Sequence, residues 1–527
     1  ADAAVAVALA LAVVLPQAGN LGGGGFAVWV AHDPAEEPRF LDFRETAPAA
    51  CVPELFLDAQ GNPVPERSLE LGPGVGVPGS PAGLFVFQRE LGRLSFAEVA
   101  APAIRLAREG FEVDRFLAAE LEQERAKLAR HPGAVELFFR DGRPLVAGER
   151  LVQPDLALTL ETFADAGPSG FYRGLVAERI VRELASVEGV MSAADLSAYQ
   201  AKWRPPLRGW FRGMEIVTAP PPSSGGVALL EILAMLDGFP LDEERVRVRA
   251  EEAHNVAGLS GRALHWWIEA MRLAFADRAV HLGDPDFQAV PVAQLLAPEH
   301  VTALRVSIGE LANPRVRSAA LQPAAREGQN TTHLSVLDAE GNAVSLTTTL
   351  NTSFGSGIVA RGTGVVLNDE LDDFSILAGT PNSFGLVGGS ANQLAPGKRP
   401  LSSMTPVVVR DGGQVVKYVL GSPGGPRIIT SVLGVLLRVI VYEEELADAV
   451  AAPRLHQQWS PVRTRLEPGW DALTRQALLD REHELEDDEP WGSVQAIAVD
   501  IGGEPVGVSD PRSGGKALRA RRAERKE

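Results

Sequence analysis

The pattern of apolar and polar positions splits the chain into a helix-rich first part and a strand-rich second part. Residues 1–16 are Ala-rich with almost no polar face, which predicts a buried helix ended by Pro16. The apolar runs at 26–30 and 38–43 predict two short strands forming a hairpin, with Arg44-Glu45 at the end of the second. Between 83 and 280 apolar residues recur mainly at helical spacing, at 95–110, at 115–131 and most strongly at 264–282. Ser95 and Glu98 predict a capping box at the start of the first of these. The stripe of Trp266, Trp267, Met271 and Phe275 reads as core, not as a cofactor box.

Periodicity is lost over 315–330, which contains Pro323, Gly328 and several charges and predicts an exposed loop suited to cleavage. From Thr331 the pattern becomes strand-like. Residues 331–337 and 343–350 flank the turn Asp338-Ala339-Glu340-Gly341-Asn342, a hairpin signal. Further strands are predicted at 364–367, 406–409, 415–419 and 495–499, and helices at 426–442 and 446–450.

Composition narrows the class. The 527 residues are 45% apolar and 22% charged, values of an ordinary globular protein, long enough for several domains or one large α/β unit. The net charge of −18 argues against nucleic acid, which needs a basic face. The one basic cluster, at 519–526, reads as a solvated terminus. The single cysteine, Cys51, excludes an internal disulfide and a Cys-based metal site, and reads as a packed thiol. The nine histidines show no ligand spacing, so no metal is expected, and no cofactor motif is present. Gly22-Gly23-Gly24-Gly25 lacks the Gly-Lys-Ser/Thr of a phosphate loop, and reads as a place of close backbone approach. No Gly-x-Ser-x-Gly elbow occurs. The apolar stretch 3–15 is too short to span a bilayer and lacks a basic leader, so neither a membrane span nor an intact signal peptide is expected there.

The candidate chemistry sits at Thr331. A hairpin turning at Glu340 and Gly341 pairs Thr332 with Thr349 within about one residue of register, so that Thr331, Thr332 and Thr349 are expected to converge. A threonine hydroxyl is a poor nucleophile unless a base lies beside it, and its own α-amine can serve when the residue begins a chain. With a free pKa of roughly 7.7–8, that amine accepts a proton near neutral pH. Such a residue requires cleavage of the Asn330–Thr331 bond, through attack of the Thr331 hydroxyl on the Asn330 carbonyl and hydrolysis of the resulting ester.

Gln329-Asn330-Thr331-Thr332-His333-Leu334-Ser335-Val336 resembles the processing site of the γ-glutamyltransferase family. The resemblance continues, in order, through Asp42-Phe43-Arg44-Glu45, Thr349-Leu350-Asn351-Thr352-Ser353-Phe354-Gly355, the stretches 367–374 and 399–404, Gly421-Ser422-Pro423-Gly424-Gly425 and Ser509-Asp510-Pro511-Arg512. It covers nearly the whole chain. It implies an α+β fold, the four-layer αββα sandwich of N-terminal-nucleophile hydrolases, with a large subunit 1–330 and a small subunit 331–527 forming one unit and one heterodimer. It implies transfer of a γ-glutamyl group, typically from glutathione, to water, an amino acid or a peptide, and, from bacterial relatives, a periplasmic or secreted location.

By position, the resemblance implies Thr331 as nucleophile, Thr349 as its partner, and Gly424 and Gly425 as an oxyanion hole. Arg44, Ser402 and Ser403 would bind the α-carboxylate, and Asn351, Glu370 and Asp373 the α-ammonium. The chemistry is consistent: a γ-glutamyl group ends in a zwitterion, which needs a cation for one charge and carboxylates for the other. Taken singly, Arg44 reads as a surface ion pair, Asp373 as a turn residue and Gly424-Gly425 as a simple turn. His333 is expected to be structural. Two departures stand out: the family has a further segment ahead of the position of Ala1, and Phe384 occupies, in the covering loop 379–394, a position where a tyrosine often sits. A glutaryl-type cephalosporin acylase of the same fold and a non-catalytic homologue are the competing readings.

Overall fold

A computed structural model describes residues 1–19, 21–244, 259–313, 331–500 and 502–520. The predicted cleavage loop, with Asn330, lies outside the described residues, as does most of the basic C-terminal cluster.

Eleven strands carry the architecture: β1 (Gly24–Val30), β2 (Arg39–Phe43), β3 (Lys202–Arg204), β4 (Leu207–Phe211), β5 (Met214–Thr218), β6 (Thr331–Leu337), β7 (Ala343–Thr349), β8 (Val407–Arg410), β9 (Val416–Gly421), β10 (Gln495–Val499) and β11 (Pro505–Ser509). They form two antiparallel sheets, in the orders β6-β7-β1-β2-β3 and β11-β10-β9-β8-β5-β4. The helices that matter here are α1 (Asp2–Val14), α2 (Ser80–Leu91), α3 (Phe96–Glu109), α4 (Pro154–Ala166), α5 (Gly225–Leu236), α6 (Gly261–His281), α7 (Pro298–Ser307) and α8 (Arg427–Ile440).

Strand alternation explains the layering. On β1, Phe26, Val28 and Val30 belong to the core shared with β8, β9, α5, α6 and α8, while Ala27 and Trp29 belong to a second core with α1, α2, α3 and α4. A strand covered on both faces has no polar side, which is why β1 reads as a continuous apolar run and every residue of it is buried. The result is helices on sheet on sheet on helices. The αββα expectation holds, and both sheets mix strands from either side of residue 330.

The glycine run is a contact between backbones. A Cβ on Gly22 would lie 1.9 Å from the Val366 carbonyl oxygen, and one on Gly23 would lie 1.9 Å from that of Thr349. These glycines let the chain pass directly against the strand end that carries Thr349.

Most predicted elements are present, including the Ser95–Glu98 capping box. The predicted helix at 115–131 is broken into Arg115–Gln123 and Arg125–Leu128. Sequence reading did not single out β4 and β5, whose pattern is interrupted by Gly209 and by the turn at Arg212-Gly213. Cys51 is buried, as expected, and burial pushes its thiol up to about 12. No described helix is long and apolar enough to cross a membrane.

Candidate active site

Thr331 opens β6 and pairs with Thr349, the last residue of β7. The two hydroxyl oxygens lie 3.0 Å apart. The Asn351 backbone N–H donates to Thr349 Oγ1 at 2.9 Å, which fixes that hydroxyl in place. The register differs by one from the expected pairing: Thr332 lies opposite Thr348, not Thr349. Because side chains alternate, Thr332 turns to the other face, so two hydroxyls converge and not three. His333 shares the face of Thr331 but is used structurally. Its ring bridges Thr347 Oγ1 at 2.8 Å and Ser335 Oγ at 3.1 Å, and burial lowers its pKa to about 3.

A small cavity beside Thr331 is lined by Thr349, Arg44, Asn351, Glu370, Asp373 and, across from them, Ser402, Ser403 and Gly425. Arg44, at the end of β2, is 1% exposed. It pairs with Glu370, with Asp373 at 2.5 Å and with Glu45 at 3.7 Å, and its Nε donates to the Pro400 carbonyl at 3.2 Å. Arg44 is therefore not a surface ion pair: its charge is shared among two buried carboxylates, Glu45 and Glu370, and the partly buried Asp373. Burial raises the pKa of Glu45 to about 7 and raises those of Glu370 and Asp373, against the lowering pull of Arg44. The cluster has more carboxylates than cations, a charge pattern suited to receiving an ammonium group.

Ser402 Oγ accepts from the Met404 N–H at 3.1 Å, and Ser403 Oγ lies 3.4 Å from the Arg278 guanidinium. The side-chain amide of Asn351 donates to the Asp369 carbonyl at 3.1 Å, which leaves its oxygen as the acceptor toward the cavity. Asn351 holds φ +78°, a left-handed conformation asparagine tolerates, and this turns the chain sharply after Thr349.

Gly424 and Gly425, at φ +124° and +53°, lead into α8. Their carbonyls accept from the N–H groups of Arg427 and Ile428, while their own N–H groups make no hydrogen bond among the described residues. Two unengaged N–H groups ahead of a 14-residue helix are an arrangement that can accept an anion.

Phe384 and Leu386, from the loop 379–394, line the same cavity. Asn382 donates to Asp373 Oδ1 at 3.0 Å, and its oxygen accepts from the N–H groups of Phe384 and Leu386. The ring of Phe384 is buried against Gly425.

The model of the family described as Gamma-glutamyltranspeptidase matches residues 1–520. The chain belongs to that family. It is similar to the glutathione hydrolase proenzyme of Escherichia coli K12, 42% identical over 97% of this chain and 86% of that protein. Its structure resembles a cephalosporin acylase from Bacillus halodurans, with a TM-score of 0.82, 27% identity and coverage of 98% and 90% of the two chains. It also resembles the γ-glutamyltranspeptidase of Helicobacter pylori, with a TM-score of 0.55, 37% identity and coverage of 59% and 86%. The chain is thus an enzyme of the γ-glutamyltranspeptidase family with an N-terminal-nucleophile hydrolase fold.

Three residues at this family site escaped sequence reading. Glu45 adds a third carboxylate to Arg44. Asn382 ties the covering loop to Asp373. Arg278, on α6, is buried, donates to Ser224 Oγ at 2.9 Å and reaches Ser403, adding a second guanidinium on the serine side. Burial lowers its pKa to about 10. An arginine amid the apolar pattern of 264–282 was the available signal, since such a charge is buried only with partners.

Proposed function

We propose that this enzyme is a γ-glutamyl acyltransferase and glutathione hydrolase whose nucleophile is Thr331, freed by self-cleavage after Asn330. The observation that carries this reading is the 3.0 Å contact of the Thr331 and Thr349 hydroxyls beside the buried Arg44 and Glu370 and the partly buried Asp373. In maturation, Thr331 Oγ attacks the Asn330 carbonyl and the peptide nitrogen leaves as the Thr331 amine. Water then hydrolyses the ester. Strands of both fragments interleave in both sheets, so the products remain one heterodimer, here the 1–330 and 331–527 pieces.

In catalysis, the Thr331 amine takes the proton of its own hydroxyl, and Oγ attacks the γ-carbonyl carbon of the substrate. Gly424 and Gly425 N–H groups receive the developing oxyanion, a contribution of about 3–4 kcal/mol per donor at comparable sites. The amine returns the proton to the leaving nitrogen, which is cysteinylglycine when the substrate is glutathione. Water or the amino group of an amino acid or peptide then attacks the Thr331 ester, releasing glutamate or a new γ-glutamyl amide.

Binding of the glutamyl end is an exchange of ion pairs. The substrate ammonium takes Glu370, Asp373 and the Asn351 oxygen. Its carboxylate takes the Arg44 face so released, with Ser402 and Ser403. Each buried charge keeps an opposite partner, so no net desolvated charge is created.

The similarity to a cephalosporin acylase supports a second reading, a glutaryl acyl group in the same cavity. A glutaryl chain carries no ammonium and would leave Glu370 and Asp373 facing a methylene. Rates on γ-glutamyl and glutaryl anilides separate the two, and faster turnover of the glutaryl compound would reverse the assignment. Maturation is tested by a denaturing gel with N-terminal sequencing. The expected result is replacement of the 56.1 kDa chain by two bands, the smaller beginning at Thr331. An intact yet fully active chain would overturn the mechanism.

A further inference from the structure

Away from the catalytic cavity, three helices bring together a carboxylate pair and an imidazole. Glu231 lies on α5, Asp277 on α6 and His300 on α7, and one ligand atom from each lies within 4.8 Å of the others. His300 Nε2 is 2.6 Å from Asp277 Oδ2 and 3.4 Å from Glu231 Oε1. Glu231 is 1% exposed, and its Oε1 has no hydrogen-bond partner. Among the described residues, no arginine or lysine pairs with either carboxylate. His300 and Asp277 are 34% and 19% exposed, so the group opens to solvent on one side.

We propose that Glu231, Asp277 and His300 form a binding site for one first-row divalent cation, Zn2+ or a close relative, that clasps α5, α6 and α7 together. Three protein ligands of N and O type with one open side match such an ion. Bond lengths of about 2.0–2.2 Å place tetrahedral ligands about 3.3–3.5 Å apart. The His300–Glu231 distance already meets this, and the shorter His300–Asp277 contact opens by under about 1 Å when Nε2 gives up its proton to the solvent and binds metal. The ion supplies the positive charge that the two carboxylates lack.

A second group, His265, Glu269 and His483, is buried and compact but differs in kind. Arg272 lies 3.2 Å from Glu269 and already supplies the carboxylate with a positive charge, and the two rings bond each other at 2.8 Å. It serves as the internal control.

The test uses the full-length protein, stripped with EDTA and titrated with Zn2+ by calorimetry and with Co2+ by visible absorption. The expected result is one equivalent bound, visible d–d bands with Co2+, and a rise in melting temperature with Zn2+. H300A and D277N should each weaken binding at least about tenfold. E231Q keeps the shape of the side chain but removes its charge and one ligand oxygen, so it should keep the γ-glutamyl activity while losing the Zn2+-induced shift. H265A should bind as the parent does. No binding of either ion, or binding undiminished in E231Q and H300A, overturns the proposal.

Discussion

The ring of Phe384 lies against Gly425 so closely that a Cβ on the glycine would come within 2.9 Å of it. The loop that covers the cavity and the backbone proposed to receive the oxyanion are therefore packed as one piece. Gly425 also holds φ +53°, where an L side chain is strained. G425A is expected to lower kcat by about 100-fold, with a smaller effect on KM, because the N–H pair is displaced in the transition state more than in substrate binding. Steady-state kinetics check this; an unchanged kcat would remove Gly425 from the oxyanion site.

T331A should remain a single chain of 56.1 kDa and lose γ-glutamyl turnover almost completely. T349A should still fold, since a strand-end methyl replaces a methyl-bearing side chain, but should mature and turn over about tenfold more slowly through loss of one hydrogen bond to Thr331. The gel gives maturation and an anilide assay gives turnover. Wild-type rates in T349A would show that the Thr331–Thr349 contact is structural only.

D373N removes one negative charge from the proposed ammonium site and also weakens the pairing to Arg44. It should raise KM for a γ-glutamyl anilide by about 10- to 100-fold, the effect of losing one buried charged hydrogen bond. The rate on a glutaryl anilide should change far less. An equal loss on both compounds would assign Asp373 to orienting Arg44 alone.

R44K keeps the charge but offers a point donor where the guanidinium spans Glu370, Asp373 and the Pro400 carbonyl. KM for γ-glutamyl substrates should rise by at least about tenfold with kcat less affected. R44A leaves Glu45 and Glu370 buried without their cation, and should lower stability by about 3–5 kcal/mol. Thermal melting of the two variants separates binding from folding.

The Glu45 carboxyl is raised from 4.5 in the unfolded chain to about 7 in the fold, chiefly by burial. A carboxyl with a raised folded pKa binds its proton more tightly in the native state. Its contribution is complete below pH 4.5 and is lost as pH climbs through 7. The melting temperature of the substrate-free enzyme should therefore fall between pH 5 and 8, and E45Q should flatten that slope. A γ-glutamyl analogue, by bringing its own ammonium, should flatten it too. An identical slope in E45Q would place the titration elsewhere.

Local signals made much of the chain legible. Alternation and a turn sequence identified the hairpin that carries Thr331, and apolar residues at helical spacing identified α6, which the fold buries on nearly every side. The register was legible only to within one residue, and the ladder pairs Thr331 with Thr349. Turn residues place a hairpin to within a residue, and only the closed ladder, pinned by the Leu334–Leu346 and Val336–Val344 pairs, selects between neighbouring registers. That single step decides whether Thr332 or Thr331 faces Thr349.

By itself, the sequence determined which residue types stand at each family motif, the strand that begins at Thr331, and the glycines that let β1 pass against β7. The tertiary structure decided what those residues do to one another. Arg44 meets Glu370 and Asp373 across more than 300 positions of chain, with separations of 326 and 329. Arg278 reaches Ser403 from another helix, and Glu231, Asp277 and His300 meet from three. No local period encodes such meetings. They arise because two sheets must bury their apolar faces against each other and against helices, and the few charges caught inside must find partners there.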